Sequence, residues 1–232
     1  MRHDLLLLPG LLNDFDLWRD QVAGLADIAN CHVADISRSG TLRDVALDVL
    51  ASAPPFFALA GFSLGGYVAQ EVLRIAPERV ARLALLDTSI RADTPARAAQ
   101  RRALDQAAQA PGRFHGFGEH MLEAYVDRSR LGDADLLCRI RAMTERLGVE
   151  VFLRQNRLER KDGAEVLRCL RIPTLVLCGA NDQLTPPSAH REMAALAEGA
   201  ALVIVPDTGH LTPMEAPDAV TRALRDWLSD PS

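Results

Sequence analysis

Gly61-Phe62-Ser63-Leu64-Gly65-Gly66 sets one hydroxyl between glycines. An apolar run at 56–60 precedes it and a helix-like run at 67–75 follows. A serine in that setting stands on a sharp strand-to-helix turn, with its hydroxyl aimed out of the sheet beside the helix N-terminus. Glycine fits on both sides because the turn leaves no room for flanking side chains. The chemistry this suggests is nucleophilic attack on a carbonyl. Serine is a weak nucleophile at neutral pH, so it needs a base within hydrogen-bond reach and a third group to fix the base's tautomer.

Both partners should sit on loops at the carboxyl ends of strands, the edge that carries the site in open α/β sheets. The chain has six histidines. His3 precedes the first strand-like run, on the wrong edge. His32 lies within a strand, His115 and His120 in a helical segment, and His190 on a predicted helix. His210 follows the apolar run 201–205 through Pro206-Asp207-Thr208-Gly209, on a carboxyl-edge loop, and is the candidate base. Asp182 follows the run 174–178 through Gly179-Ala180-Asn181 and is the candidate acid. Asp87, at the end of the run 83–86, faces the same edge and is its rival. Asp207 is close in sequence to His210 and reads as a turn residue. Asp35 ends a strand beside Ser37 and Ser39, which suggests loop stabilisation. An oxyanion needs two preorganised donors. The Leu64 N–H follows from the turn itself, and the Leu11 N–H is the choice from the loop Pro9-Gly10-Leu11-Leu12.

The elements that must position these groups are read from hydrophobic pattern. Runs at 5–8, 31–34, 56–60, 83–86, 174–178 and 201–205 are continuously apolar, as expected of strands covered on both faces. Helical spacing separates most of them, at 15–26, 41–51 (with Thr41 as N-cap), 192–197 and 216–228. Alternating strands and helices imply a parallel sheet with right-handed crossovers. The stretch 91–168 breaks the alternation. It is helical in pattern and punctuated by Gly112, Gly116, Gly118, Gly132 and Gly148, and it reads as a helical lid over the carboxyl edge within one domain spanning 1–232. Phe114, His115, Phe117, His120, Met121 and Tyr125, followed by Arg128 and Arg130, are its candidate pocket residues; packing plus a solvated basic face is the competing reading.

Composition bounds the rest. The chain has 232 residues and a net charge of −5, which argues against a nucleic-acid footprint. Cys31, Cys138, Cys169 and Cys178 show neither a disulfide framework nor zinc-ligand spacing, and read as reduced, mostly buried thiols. No run approaches the roughly eighteen apolar residues of a membrane span, and the apolar N-terminus reads as a strand rather than a secretory signal. A cytoplasmic protein, monomeric or homodimeric, is expected.

The order Ser63, Asp182, His210 is that of the α/β-hydrolase triad. With LLLLPGLLND at 5–14, LAGFSLGGYVAQEVL at 59–73, RVARLALLDTS at 79–89, IPTLVLCGANDQLTPP at 172–187 and VPDTGHLTPMEAP at 205–217, the chain resembles the α/β-hydrolase superfamily. It is most similar to its small esterase-like and 3-oxoadipate enol-lactone-hydrolase-like group. The resemblance implies an α/β-hydrolase fold: about six mainly parallel strands, helices on both faces, and the lid before the last two strands. It implies acyl transfer from a small carboxylic ester or lactone to water, with no metal, nucleotide or redox cofactor. C–C or thioester hydrolysis, acyl transfer to another acceptor and elimination use the same triad, and a non-catalytic ligand-binding protein is the reading from another class. The chain departs from its relatives in three places. The oxyanion loop arrives without two preceding strands, it has Pro9-Gly10 where His-Gly is common, and Ser37-Arg38-Ser39-Gly40 replaces Gly-His-Gly.

Overall fold

A computed structural model describes residues 2–110, 114 and 116–230. Gly112 and His115, named above, lie outside the described residues. Six strands, β1 (His3–Leu8), β2 (Ala29–Val33), β3 (Phe57–Phe62), β4 (Val80–Leu86), β5 (Thr174–Gly179) and β6 (Ala201–Val205), form one all-parallel sheet in the order β2-β1-β3-β4-β5-β6. Every apolar run read as a strand is one. His3 opens the first strand rather than preceding it.

Burial corrects the expectation of two covered faces for every strand. β3 and β5 are buried throughout, but β2 alternates and β6 is half-exposed. These two lie at the sheet's edges, where a neighbouring strand and part of the helical cover are missing. The thiols need a similar correction: all four are free, but only Cys178 is fully buried, and Cys138 and Cys169 are exposed.

Helices α1 (Arg19–Gly24), α2 (Leu42–Ser52), α3 (Leu64–Ile75), α8 (Pro187–Leu196), α9 (Thr212–Glu215) and α10 (Pro217–Ser229) flank the sheet. Residues 15–18 form a 3₁₀ turn before α1, so the single helix expected there is split. Thr41 caps α2 by accepting from Asp44 N–H. α1 packs on α10 and α2 on α3, the two pairs that right-handed crossovers send to opposite faces.

The stretch between β4 and β5 is the expected helical insert. It comprises α4 (Pro95–Ala108), α5 (Glu119–Tyr125), α6 (Ala134–Asn156) and α7 (Ala164–Cys169). Gly148 interrupts α6 with a φ of 73°, a left-handed conformation that favours glycine. The insert is anchored unevenly. α6 buries Ile140, Met143, Phe152 and Leu153, and Arg139 ties it to Asp20 at 2.8 Å. α4 contributes no buried side chain. Its tethers are polar: Asn156 Nδ2 donates to Arg101 O (2.9 Å) and Asp105 Oδ1 (2.6 Å), and Arg97 donates to Leu184 O (3.0 Å). No helix among the described residues is long and apolar enough to cross a membrane.

Candidate active site

Ser63 occupies the turn between β3 and α3 with φ 51° and ψ −114°. That conformation is strained for a residue with a side chain and is held by its surroundings. Ser63 N–H donates to Leu86 O (2.9 Å), and Ser63 O accepts from Thr88 Oγ1 (2.7 Å) and Gly66 N–H (3.0 Å). The flanking glycines are steric necessities. A Cβ on Gly61 would meet Gly65 O at 2.5 Å, and one on Gly65 would meet Leu8 O at 2.4 Å. The start of α3 is thereby pressed against the backbone that follows β1.

His210 Nε2 lies 2.9 Å from Ser63 Oγ, and its Nδ1 lies 2.8 Å from Asp182 Oδ2. The three residues expected from sequence meet in one hydrogen-bonded line. Asp182 Oδ1 also accepts from Leu184 N–H (2.8 Å) and Thr185 N–H (3.0 Å), and Oδ2 accepts from Thr185 Oγ1 (2.6 Å). Burial works against its charge, but His210 and these donors outweigh it, so its carboxyl is held below the usual carboxylate range. The imidazole is packed between Phe62 (ring centroids 5.3 Å apart) and Tyr125 (5.1 Å, edge-on).

Two groups that hold His210 escaped sequence reasoning. Tyr125 O, at the end of α5, accepts from His210 N–H at 2.8 Å. Glu215, on α9, accepts from Gly209, Leu211 and Asp127 N–H groups at 3.1, 3.0 and 2.8 Å. Glu215 sits inside the motif that runs through His210, and a carboxylate five residues past that histidine was the available signal. Tyr125 acts through its backbone, which no residue pattern marks.

The rival acid is elsewhere engaged. Asp87 is fully buried, and its Oδ1 accepts from Gly179 N–H (3.0 Å) while Oδ2 is hydrogen-bonded to the Thr212 hydroxyl. Burial, then the neighbouring Asp182 charge, push its carboxyl well above the usual range. A raised carboxyl keeps its proton in the folded state after the unfolded chain has lost its own, so stability falls as pH rises above about 4, the unfolded value. Asp87→Asn removes that fall. Urea midpoints at a series of pH values should show the mutant gaining on the parent as pH rises, by at most about 1.4 kcal/mol per pH unit. A difference that does not change with pH would mean that Asp87 is ionised. The metal-ligating atoms of Asp87, Asp182 and His210 lie within 4.8 Å of one another. Hydrogen bonds already engage both imidazole nitrogens and all four carboxylate oxygens, and account for the grouping.

The remaining residues read from sequence also find places. Asp35 accepts from Ser37 N–H and Arg38 Nε and so shapes its loop. Asp207 takes a left-handed turn conformation, with φ 50°. His190 is buried on α8, where Nε2 accepts from Thr88 N–H (3.1 Å) and burial pulls its pKa down to about 4, leaving a neutral structural imidazole.

A cavity of about 360 Å³ opens over Ser63 and His210. Leu11 and Leu64 line it, and among the described residues neither N–H has a protein acceptor. The next N–H, of Leu12, is taken by Gln155 Oε1 (2.8 Å), while Gln155 Nε2 donates to Ile36 O (3.3 Å). α6 therefore braces the loop after β1. His120, Met121 and Tyr125 face the cavity as expected, but Phe114 and Phe117 do not, packing instead on Phe152 and Tyr125. Arg130 is turned to Glu215 O and Asp133, and Arg128 lies away from the cavity. Among the described residues the arginines lining it are Arg97, Arg101 and Arg160, which sequence reading did not single out.

A family model described as "Alpha/beta hydrolase family" matches residues 5–223. The chain is 30% identical to the pimeloyl-[acyl-carrier protein] methyl ester esterase of Pectobacterium carotovorum subsp. carotovorum (strain PC1), over 94% of this chain and 91% of that one. Among solved structures it resembles a thermophilic esterase from Thermogutta terrifontis, with a TM-score of 0.85 and 30% identity over 97% of this chain and 89% of that chain. It also resembles the enol-lactonase from Burkholderia xenovorans LB400, with a TM-score of 0.79 over 99% and 93%; at 21% identity that likeness speaks for the fold alone.

Proposed function

The chain belongs to the alpha/beta hydrolase family, and on that premise we propose that it is a serine hydrolase that cleaves a small carboxylic ester or lactone through an acyl-enzyme. The observation that carries this reading is the unbroken line Ser63 Oγ–His210 Nε2, His210 Nδ1–Asp182 Oδ2 at the cavity. The esterase activity named for two relatives supports it.

Ser63 Oγ attacks the carbonyl carbon as its proton passes to His210 Nε2. Asp182, held ionised, stabilises the imidazolium and fixes its orientation. The Leu11 and Leu64 N–H groups receive the developing oxyanion. The C–O bond to the alcohol then breaks as His210 returns the proton to the leaving oxygen. The same nitrogen next deprotonates a water, which attacks the acyl carbon and releases the acid with Ser63 restored. The insert at 91–168 serves as a lid, since α4 and α5 wall the cavity above the reacting atoms.

The test is a panel of short esters, lactones and thioesters assayed with the purified protein, alongside labelling by an active-site-directed fluorophosphonate. Turnover of esters or lactones, with the phosphonate located on Ser63 by mass spectrometry, is expected. A label elsewhere, or thioesters as the one class turned over, would displace the reading.

A further inference from the structure

Among the described residues, Arg97, Arg101 and Arg160 are the arginines that line the cavity exposing Ser63, and they are not equivalent. Arg101 is neutralised by Asp93 through contacts of 2.6 and 3.2 Å. Arg97 donates to Leu184 O and forms no ion pair among the described residues. Arg160 is 5% exposed, yet no carboxylate pairs with it among the described residues. Its Nη1 donates to the carbonyls of Gln155 (3.1 Å), Asn156 (3.4 Å) and Leu158. Its Nε and Nη2 have no protein acceptor among the described residues.

A guanidinium presents five N–H donors in a planar fork that matches a carboxylate. A buried one left without a counter-ion is costly, because its charge has been taken out of water without compensation. Burial, then the neighbouring Arg101, push its pKa down to about 9, so it remains cationic at neutral pH. The turn after α6 thus keeps a charge at the cavity wall that the protein does not neutralise there. The Tyr125 hydroxyl, in the same cavity, also lacks a protein partner among the described residues and adds a neutral donor.

We propose that the substrate carries a carboxylate of its own, paired with Arg160 in the cavity, so that the preferred substrates are half-esters of dicarboxylic acids or carboxylated lactones rather than neutral esters. This rests on the hydrolase reading for the bond cleaved. It does not rest on that reading for the anion bound, and the experiment keeps the two apart.

Monomethyl esters of straight-chain dicarboxylic acids, from malonate to suberate, are compared with the dimethyl esters of the same acids. Wild type should favour the half-ester in kcat/KM by about 10- to 100-fold at the best chain length, the worth of one charge-assisted hydrogen-bonded pair. Arg160→Met should erase that preference, and Arg160→Lys should keep part of it because the charge survives without the fork. Calorimetry with Ser63→Ala should show the half-ester bound, and bound at least 10-fold more weakly when Arg160→Met is added. Equal kcat/KM for the two ester classes in wild type would overturn the anion site, a result that needs no folded variant. A preference unchanged in Arg160→Met would do the same. Binding of the half-ester without turnover of any ester would leave the anion site standing and defeat the hydrolase reading alone.

Discussion

Replacing Ser63 with alanine lowers kcat for an activated ester by about 10⁴- to 10⁶-fold, with the overall fold retained. The size of the loss follows from the line of contacts: Ser63 Oγ is the atom 2.9 Å from His210 Nε2, and among the described residues its side chain has no other hydrogen-bond partner. Removing it deletes the nucleophile and leaves the backbone donors at Leu11 and Leu64 in place, so residual catalysis should come from binding and the oxyanion pocket alone. His210→Ala should be nearly as damaging. Because nucleophile and base act as a unit, the Ser63→Ala/His210→Ala double mutant should be scarcely worse than either single one. Initial rates with a p-nitrophenyl ester, checked against phosphonate titration for trace wild type, measure this. Near-normal hydrolysis by purified Ser63→Ala would end the acyl-enzyme mechanism.

The second large effect separates two aspartates that face the same edge. Asp182→Asn should cost about 10⁴ in kcat, whereas Asp87→Asn should stay within a few-fold of the parent. The reason is the count of donors. Asp182 receives Leu184 N–H, Thr185 N–H, Thr185 Oγ1 and His210 Nδ1. An asparagine there turns its NH₂ either against the backbone donors or against the imidazole, and the latter selects the tautomer that protonates Nε2. Asp87 has its carboxyl pushed well above the usual range by burial, and an asparagine can accept from Gly179 N–H while its NH₂ meets the Thr212 hydroxyl. The opposite ranking of the two mutants would hand the orienting role to Asp87.

What could be read ahead of the structure was whatever the chain encodes locally. The interior strands β3 and β5 are unbroken apolar runs because both their faces are covered, and Ser63, Asp182 and His210 each follow a strand, so their convergence is a matter of topology. The edge strands were misjudged because exposure there depends on which neighbour is missing, a property of the sheet rather than of the run. The insert hid its interior for a related reason. Arg97 and Arg101 share α4 with Arg102, and only the way the helix lies on its neighbours decides which of the three turns inward. Arg160 is on a turn whose course is set by its own bonds back to Gln155, Asn156 and Leu158. Gln155, which braces two loops more than a hundred residues away, belongs to no motif.

α4 stands over the cavity without placing one side chain in the core. Its attachments are partly buried hydrogen bonds and ion pairs, each worth about 1 kcal/mol net. Raising this helix therefore exposes little new apolar surface, whereas raising α6 would strip the core and release the loop after β1. The door is held by polar bonds alone, and the frame by a buried apolar face as well as its ion pairs. Swinging the door should therefore draw on a free energy largely separate from the one that keeps the molecule folded, and a core substitution far from α4 that lowers the melting temperature should leave ligand exchange at its former pace.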